Sequence, residues 1–224
     1  MKPDKGLKGQ ISGHTRKRTY LLHGFEDVLI KYLSKRMPPF IETYHLTLSS
    51  IFTAALAIVS GHFSHVNRYW LLGIPLALII HWLTDMMDGE IGRIRGTGLV
   101  KWGFYADHFL DFIFMSSIFI GYSLAFPNLV LLNTLMIIGM GLLFIDSALY
   151  ALVGKEYSTS GIVGRFGPSE GTFAIASIGI GFLFISDYWI TLTYIFMATV
   201  LLTGVFIQFI FHQKELWDTD LGNK

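Results

Sequence analysis

The chain has 224 residues, of which 52% are hydrophobic and only 15% are charged, whereas about 25% are charged in an ordinary soluble domain. Its apolar residues come in long runs without the polar face that a soluble helix keeps, which argues against a soluble fold. The net charge of +1 gives no reason to expect a nucleic-acid partner, and the lack of cysteine excludes disulfides and thiolate chemistry.

The N-terminal segment is predicted to precede the membrane rather than to cross it. Residues 1–22 are polar and basic, as in a flexible tail, and have no apolar core of a signal peptide. Residues 23–37 place apolar side chains such as Phe25 and Val28 on one helical face, and Pro38 follows. This pattern predicts an amphipathic helix on the membrane surface. A helix packed against other parts of the protein is the alternative.

Six membrane-spanning helices are expected next, because the apolar runs reach the roughly 20 residues that a span requires. They cover about residues 43–62, 69–93, 103–125, 128–153, 169–186 and 188–212. The predicted fold is therefore an all-α polytopic membrane protein. Its six-span catalytic domain occupies residues 38–213, and residues 214–224 form a C-terminal tail.

The distribution of basic residues predicts the orientation in the membrane. With a cytoplasmic N-terminus, sixteen Lys and Arg residues fall on the cytoplasmic side and one, Arg68, falls outside. Basic residues accumulate in cytoplasmic loops. We therefore expect an integral membrane protein with both termini in the cytoplasm.

Four aspartates lie near the cytoplasmic ends of the second and third predicted spans. Asp85 and Asp88 share one helix face, and Asp107 and Asp111 share another. An unpaired aspartate in a span costs about 2.5–3.5 kcal/mol, and four together repel one another. A hard divalent cation would offset both effects. Carboxylates suit magnesium, manganese or calcium rather than zinc, and four of them can hold two ions.

Glycines and an arginine flank these aspartates. Gly89, Gly92 and Gly103 indicate either the close approach of a ligand or tight packing between helices. Arg93 lies one turn beyond Asp88 or Gly89, where a guanidinium can bind a phosphate through two hydrogen bonds or extend toward lipid headgroups. Carboxylates, glycines and an arginine in one segment favour a diphosphate ligand.

Residues 85–111 resemble the signature of the CDP-alcohol phosphotransferase family, Asp-x2-Asp-Gly-x2-Ala-Arg-x7–9-Gly-x3-Asp-x3-Asp. Every position matches except that Gly92 replaces the alanine. A second family feature, Thr-Pro-Asn-x-Leu-Thr, is only partly retained at residues 42–47. The six predicted spans and the helix before them also fit the family, so the resemblance covers residues 23–212.

The resemblance implies an enzyme of phospholipid synthesis. An acceptor hydroxyl attacks the phosphoryl group of a CDP-linked donor, and CMP leaves. The implied ligands of magnesium or manganese are the four aspartates, Asp85, Asp88, Asp107 and Asp111. Asp111 would also accept the proton of the hydroxyl. Gly89 and Arg93 would contact the nucleotide phosphates, and Gly103 would make room for the nucleotide.

The resemblance leaves the two substrates open. The donor is either CDP-diacylglycerol with a soluble alcohol as acceptor, or a CDP-aminoalcohol with diacylglycerol as acceptor. It also implies a homodimer embedded in membrane lipid. The alternative function is a divalent-cation transporter that uses the aspartates as its pathway. A transporter should carry polar residues across the whole membrane, whereas the third to sixth spans are nearly uncharged toward the outside.

Two histidines lie beside the aspartates. His108 gives an Asp-His-x-x-Asp order that resembles the choline and ethanolamine phosphotransferases of the family, and an imidazole is the stronger base at neutral pH. It also lies about 100° around the helix from Asp107, which favours a side chain that points away from the metal. His81 lies one turn before Asp85 and is interpreted as a supporting or structural residue rather than a ligand.

Three further residues are candidates for binding the acceptor. Arg165 suits an acceptor phosphate. Glu170 suits an amino-alcohol headgroup, or it simply places negative charge at a helix N-terminus. Asp146 is an intramembrane carboxylate, which is either functional or paired with a neighbouring span.

Overall fold

The described part of the chain is helical, as the long apolar runs predict. The computed structural model describes residues 21–96, 99–153 and 168–222. The α-helices in these ranges are α1 (His23–Arg36), α2 (Thr43–Phe63), α3 (Gly73–Arg95), α4 (Val100–Ala125), α5 (Val130–Leu152), α6 (Pro168–Gly181) and α7 (Asp187–Gly222). Short 3₁₀ turns at Arg68–Leu72 and Pro127–Leu129 lead into α3 and α5. The predicted basic tail lies almost entirely outside the described residues.

Five of these helices are long and apolar enough to cross a membrane, namely α2, α3 with its preceding turn, α4, α5 and α7. This confirms an integral membrane protein. The predicted fifth span corresponds to α6, which has 14 residues and is about 21 Å long, less than the roughly 30 Å hydrocarbon core. The count of six therefore stays a prediction. Helix α7 has 36 residues and continues to Gly222, past the expected end near residue 212.

Helix α2 joins α3 to α4, because it packs against both of them while they contact each other little. Two glycines allow its close approach to α4. A Cβ atom added at Gly61 would overlap the carbonyl oxygen of Gly121, and one added at Gly121 would lie 2.6 Å from the carbonyl oxygen of Ala57. Small residues let helix backbones meet in membranes. The neighbours α3 and α4 are thus held by α2 rather than by each other.

The largest hydrophobic core lies toward the end of the bundle where α3 begins and α4 ends. Ile74 of α3, Phe114 of α4, Leu129 and Ile190 of α7 are all at most 1% exposed there. The aspartates occupy the opposite end, where α3 ends and α4 begins. The dense core thus fixes one end of the two helices and leaves the other end to form a site.

Helix α1 has apolar residues on two faces. Ile30 is buried against Met87 and Ile91 of α3. Phe25 and Val28 are exposed on the outer side. One face of the helix is thus packed on protein, as in the alternative interpretation, while the location of the other face on the membrane stays a prediction.

Arg95 anchors the loop between α1 and α2. Its guanidinium donates hydrogen bonds to the backbone carbonyl oxygens of Met37, Pro38, Pro39 and Ile41. At the start of α2, the Nδ1 atom of His45 accepts a hydrogen bond of 3.0 Å from the backbone N–H of Glu42. A contact between Glu42, which replaces the first threonine of the family feature, and His45 therefore fixes the start of α2.

Candidate active site

A cavity of about 470 Å³ opens between α3 and α4 at the end that carries the aspartates, with α2 on one side. Its walls include both halves of the 85–111 segment. The lining residues are Thr43, Thr47, Asp88, Gly89, Gly92, Arg93, Gly96, Leu99, Trp102, Gly103, Phe104 and Asp107. Asp88 and Asp107 thus face a common space from the two spans, whereas Asp85 and Asp111 are not among the residues that line it.

Asp88 is the most enclosed carboxylate of the four, with 8% of its surface exposed. The hydroxyl group of Thr47 donates a hydrogen bond of 2.8 Å to its Oδ2 atom. A buried charged group needs such a partner. Thr47 is the last residue of the partly retained 42–47 feature and was not among the predicted site residues.

The four aspartates form a chain of electrostatic neighbours in the order Asp85, Asp88, Asp107 and Asp111. Asp88 repels Asp85 and Asp107, and Asp107 repels Asp111. In the described ranges, however, no three acidic or histidine side chains are arranged closely enough to hold a metal ion. The role of the four carboxylates as metal ligands stays a prediction.

Asp111 contacts a histidine from the other helix. The Nε2 atom of His81 on α3 lies 3.3 Å from its Oδ1 atom. His81 is buried, and its ring stacks on Phe114 with the ring centroids 3.7 Å apart. The sequence placed His81 near Asp85 on the same helix but did not indicate its contact with Asp111.

Two glycines of the cavity, Gly89 and Gly103, do not pack against another helix among the described residues. A Cβ atom added at Gly89 would meet only the Nη1 atom of Arg93, at 3.8 Å, and one added at Gly103 would meet nothing within 4 Å. Gly61 and Gly121 show the opposite behaviour, since a Cβ atom there overlaps or crowds backbone. Of the two interpretations, open space for a ligand therefore fits Gly89 and Gly103 better than tight helix packing.

Arg93 lines the cavity but is also engaged by a neighbour. Its Nε and Nη2 atoms donate hydrogen bonds of 3.0 and 2.7 Å to one carboxylate oxygen of Glu90. Its side chain is 62% exposed, so the pair lies at the rim. An anion that binds here would compete with Glu90 for the guanidinium.

His108 lies outside the set of residues that line the cavity. Its Nδ1 atom is 2.9 Å from the carbonyl oxygen of Phe104 on its own helix. The ring contacts Phe104 and the edge of Phe144 on α5. This position agrees with the rotation of about 100° expected from the sequence.

Asp146, the intramembrane candidate for acceptor binding, contacts helix α7. Its Oδ2 atom accepts a hydrogen bond of 2.6 Å from the side-chain amide of Gln208 and lies 2.8 Å from Nδ1 of His212. Pairing with a neighbouring span was the alternative interpretation, and it describes this arrangement.

The other two acceptor candidates differ in what the structure describes of them. Glu170 is 8% exposed, and its Oε1 atom accepts a hydrogen bond of 2.8 Å from the backbone N–H of Leu22 at the start of α1. The neighbouring Ser169 accepts a hydrogen bond from the indole of Trp82. Helix α6 is thereby tied to α1 and α3. Arg165 lies outside the described residues.

The fold and the cavity define a polytopic helical membrane protein with a carboxylate-lined site at one end of its bundle. Residues 38–207 match the family model described as CDP-alcohol phosphatidyltransferase, and the chain belongs to that family. The family consists of phosphotransferases that use a CDP-alcohol donor and an alcohol acceptor in a membrane. Searches of curated proteins and of solved structures gave no match.

Proposed function

We propose that the protein transfers a phosphatidyl or phospho-alcohol group from a CDP-linked donor to an acceptor hydroxyl and releases CMP in phospholipid synthesis. The cavity between α3 and α4 is the observation that carries this proposal. Asp88 and Asp107 face it from two helices, and Gly89 and Gly103 leave open space beside them. Family membership supports the same chemistry.

The reaction assigns distinct tasks to the residues of the site. The donor diphosphate lies along Gly89 and Arg93, and Gly103 admits the nucleotide. The acceptor oxygen forms a bond to the phosphorus of the alcohol phosphate while the bond from that phosphorus to the oxygen of CMP breaks. Asp111 accepts the proton of the attacking hydroxyl. Positioning and charge stabilisation rather than covalent catalysis dominate such a transfer.

The donor set fits a hard divalent cation, because it consists of carboxylates, one of which is buried and hydrogen-bonded. We propose that Asp85, Asp88, Asp107 and Asp111 hold magnesium or manganese, as two ions. Bound there, the ions would neutralise the donor diphosphate and the charge that develops at phosphorus. Carboxylates without a shared cation repel one another, so we expect the set to close when the ions bind.

We further propose that the site opens toward the cytoplasm and that both termini lie on that side. The sixteen-to-one distribution of basic residues supports this orientation. The exposed outer residues of α1, Phe25, Val28 and Tyr32, then rest on the cytoplasmic membrane surface, where the helix lies parallel to the bilayer.

Removal of divalent metal should abolish the transfer. Formation of lipid product distinguishes an enzyme from a cation transporter. The purified protein is incubated with labelled CDP-diacylglycerol and a panel of alcohols, or with labelled CDP-choline or CDP-ethanolamine and diacylglycerol. We expect one donor class to yield lipid product and an equal amount of CMP. EDTA should stop this reaction and magnesium or manganese should restore it.

Two results would contradict the proposal. Full activity in excess chelator would remove the metal from the mechanism. If no donor and acceptor pair reacts, while vesicles that contain the protein take up manganese through a pathway blocked by Asp88→Asn, the protein is a transporter.

Substitution of the cavity glycines should impair donor binding without weakening the fold. Gly89→Ala and Gly103→Ala introduce a methyl group into space that the protein leaves open, so stability should stay the same or rise by up to about 1 kcal/mol. The donor KM should increase about tenfold or more, which corresponds to about 1.4 kcal/mol. Steady-state kinetics and thermal unfolding in detergent measure the two effects.

Gly204→Ala is the matched control, because Gly204 also lies in a helix, with nothing within 4 Å of an added Cβ atom, but outside the cavity lining. It should leave the donor KM unchanged. An unchanged KM in both cavity variants would show that the donor does not approach these glycines.

A further inference from the structure

His81 is a buried histidine whose polar contact among the described residues leads to the site. The residue is 6% exposed. Its Nε2 atom lies 3.3 Å from Oδ1 of Asp111, and its Nδ1 atom is buried and has no hydrogen-bond partner among the described residues. Nε2 therefore faces a carboxylate of the site, whereas Nδ1 makes no hydrogen bond within the described residues.

Packing alone does not explain an imidazole at this position. A buried polar atom without a partner costs about 1–3 kcal/mol, so an apolar side chain of similar size would suit the core better. Phe114, on which the ring stacks, is fully buried and supports the imidazole on one face. The plane of the ring is thereby fixed, and with it the direction in which Nε2 points.

Asp111 is the partner that needs such support. Its side chain is 31% exposed, which leaves the carboxylate room to rotate. A group that takes a proton in the transition state must be held in place, because errors of about 1 Å can cost about a hundredfold in rate.

We propose that His81 is a positioning residue that fixes the carboxylate of Asp111 in the orientation needed to receive the acceptor proton. This inference rests on the proposed function, in which Asp111 is the base. His81 reaches Asp111 from α3 across to α4, so this contact links the two aspartate-bearing helices beside the site. Loss of a residue that orients a group of the site in this way typically lowers activity about 10–100-fold.

A pair of nearly equal side chains tests the proposal. His81→Gln retains an N–H donor at about the position of Nε2, and His81→Met has a similar size and shape without a donor. At saturating magnesium and donor, we expect His81→Met to lose about 10–100-fold in kcat and His81→Gln to lose clearly less. The donor KM should stay within about twofold in both, since Thr47, Asp88 and the glycines are intact.

The Asp111→Asn background provides the second readout. If His81 acts through Asp111, His81→Met should cause little further loss there, because residues that act as a unit are not additive. Equal kcat values for the Gln and Met variants, or a full additional loss in the Asp111→Asn background, would overturn the assignment. The proposed transfer is tested separately, because it fails if the unsubstituted protein makes no lipid product from any donor and acceptor pair.

Discussion

Asp111→Asn should lower turnover by about 10²–10⁴-fold while the protein still binds its CDP-linked donor. Asparagine has nearly the shape of aspartate but cannot accept the proton of the attacking hydroxyl. In the proposed mechanism Asp85, Asp88 and Asp107 would still hold at least one metal ion, so the affinity for the donor should change much less than the rate. Single-turnover kinetics and equilibrium binding of the labelled donor measure these two quantities separately.

His108→Ala distinguishes the rival base. The ring of His108 contacts Phe104 and Phe144 and lies outside the residues that line the cavity, so we expect a mild effect, within about tenfold. A loss of a hundredfold or more with intact donor binding would make His108 the base. That result would favour the choline and ethanolamine branch of the family.

Gly61→Ala should prevent stable folding. The added Cβ atom would overlap the carbonyl oxygen of Gly121, and a backbone atom cannot move away by a side-chain rotation. Separation of α2 from α4 would also disturb α3, because α3 is joined to α4 mainly through α2. We expect a loss of about 3 kcal/mol or more, at or above the upper end of the usual cost of overpacking.

The thermal midpoint in detergent and the yield of folded protein measure this loss. Gly204→Ala serves again as the control, since its Cβ atom meets nothing within 4 Å, and it should be at least as stable as the unsubstituted protein. A Gly61→Ala protein with an unchanged midpoint would show that the α2–α4 contact is looser than described.

The sequence predicted the long helices and the acidic pairs because hydropathy and helical spacing act locally along the chain. Asp88 and Asp107 meet in one cavity because a short connection joins the ends of α3 and α4. The pairing of Arg93 with Glu90 also follows a local i,i+3 rule, and the sequence analysis overlooked it.

Other features depend on the packing of distant segments, which hydropathy does not specify. Nothing in the apolar pattern indicates that α2 lies against both α3 and α4, or that Thr47 reaches Asp88. The glycines illustrate the same limit. Gly61 and Gly89 are identical residues in similar apolar helices, yet one lies against a neighbouring backbone and the other faces open space.

The anchor formed by Arg95 links the end of helix α1 to the wall of the cavity. One guanidinium binds four carbonyl oxygens of the loop that follows α1, and this loop leads directly into Thr43 and Thr47 of the cavity wall. A hinge needs a few residues that can change their backbone angles freely, and this junction has two prolines and a side-chain clamp instead. We therefore expect helix α1 and the start of α2 to move together, so a displacement of α1 would be transmitted to the cavity wall.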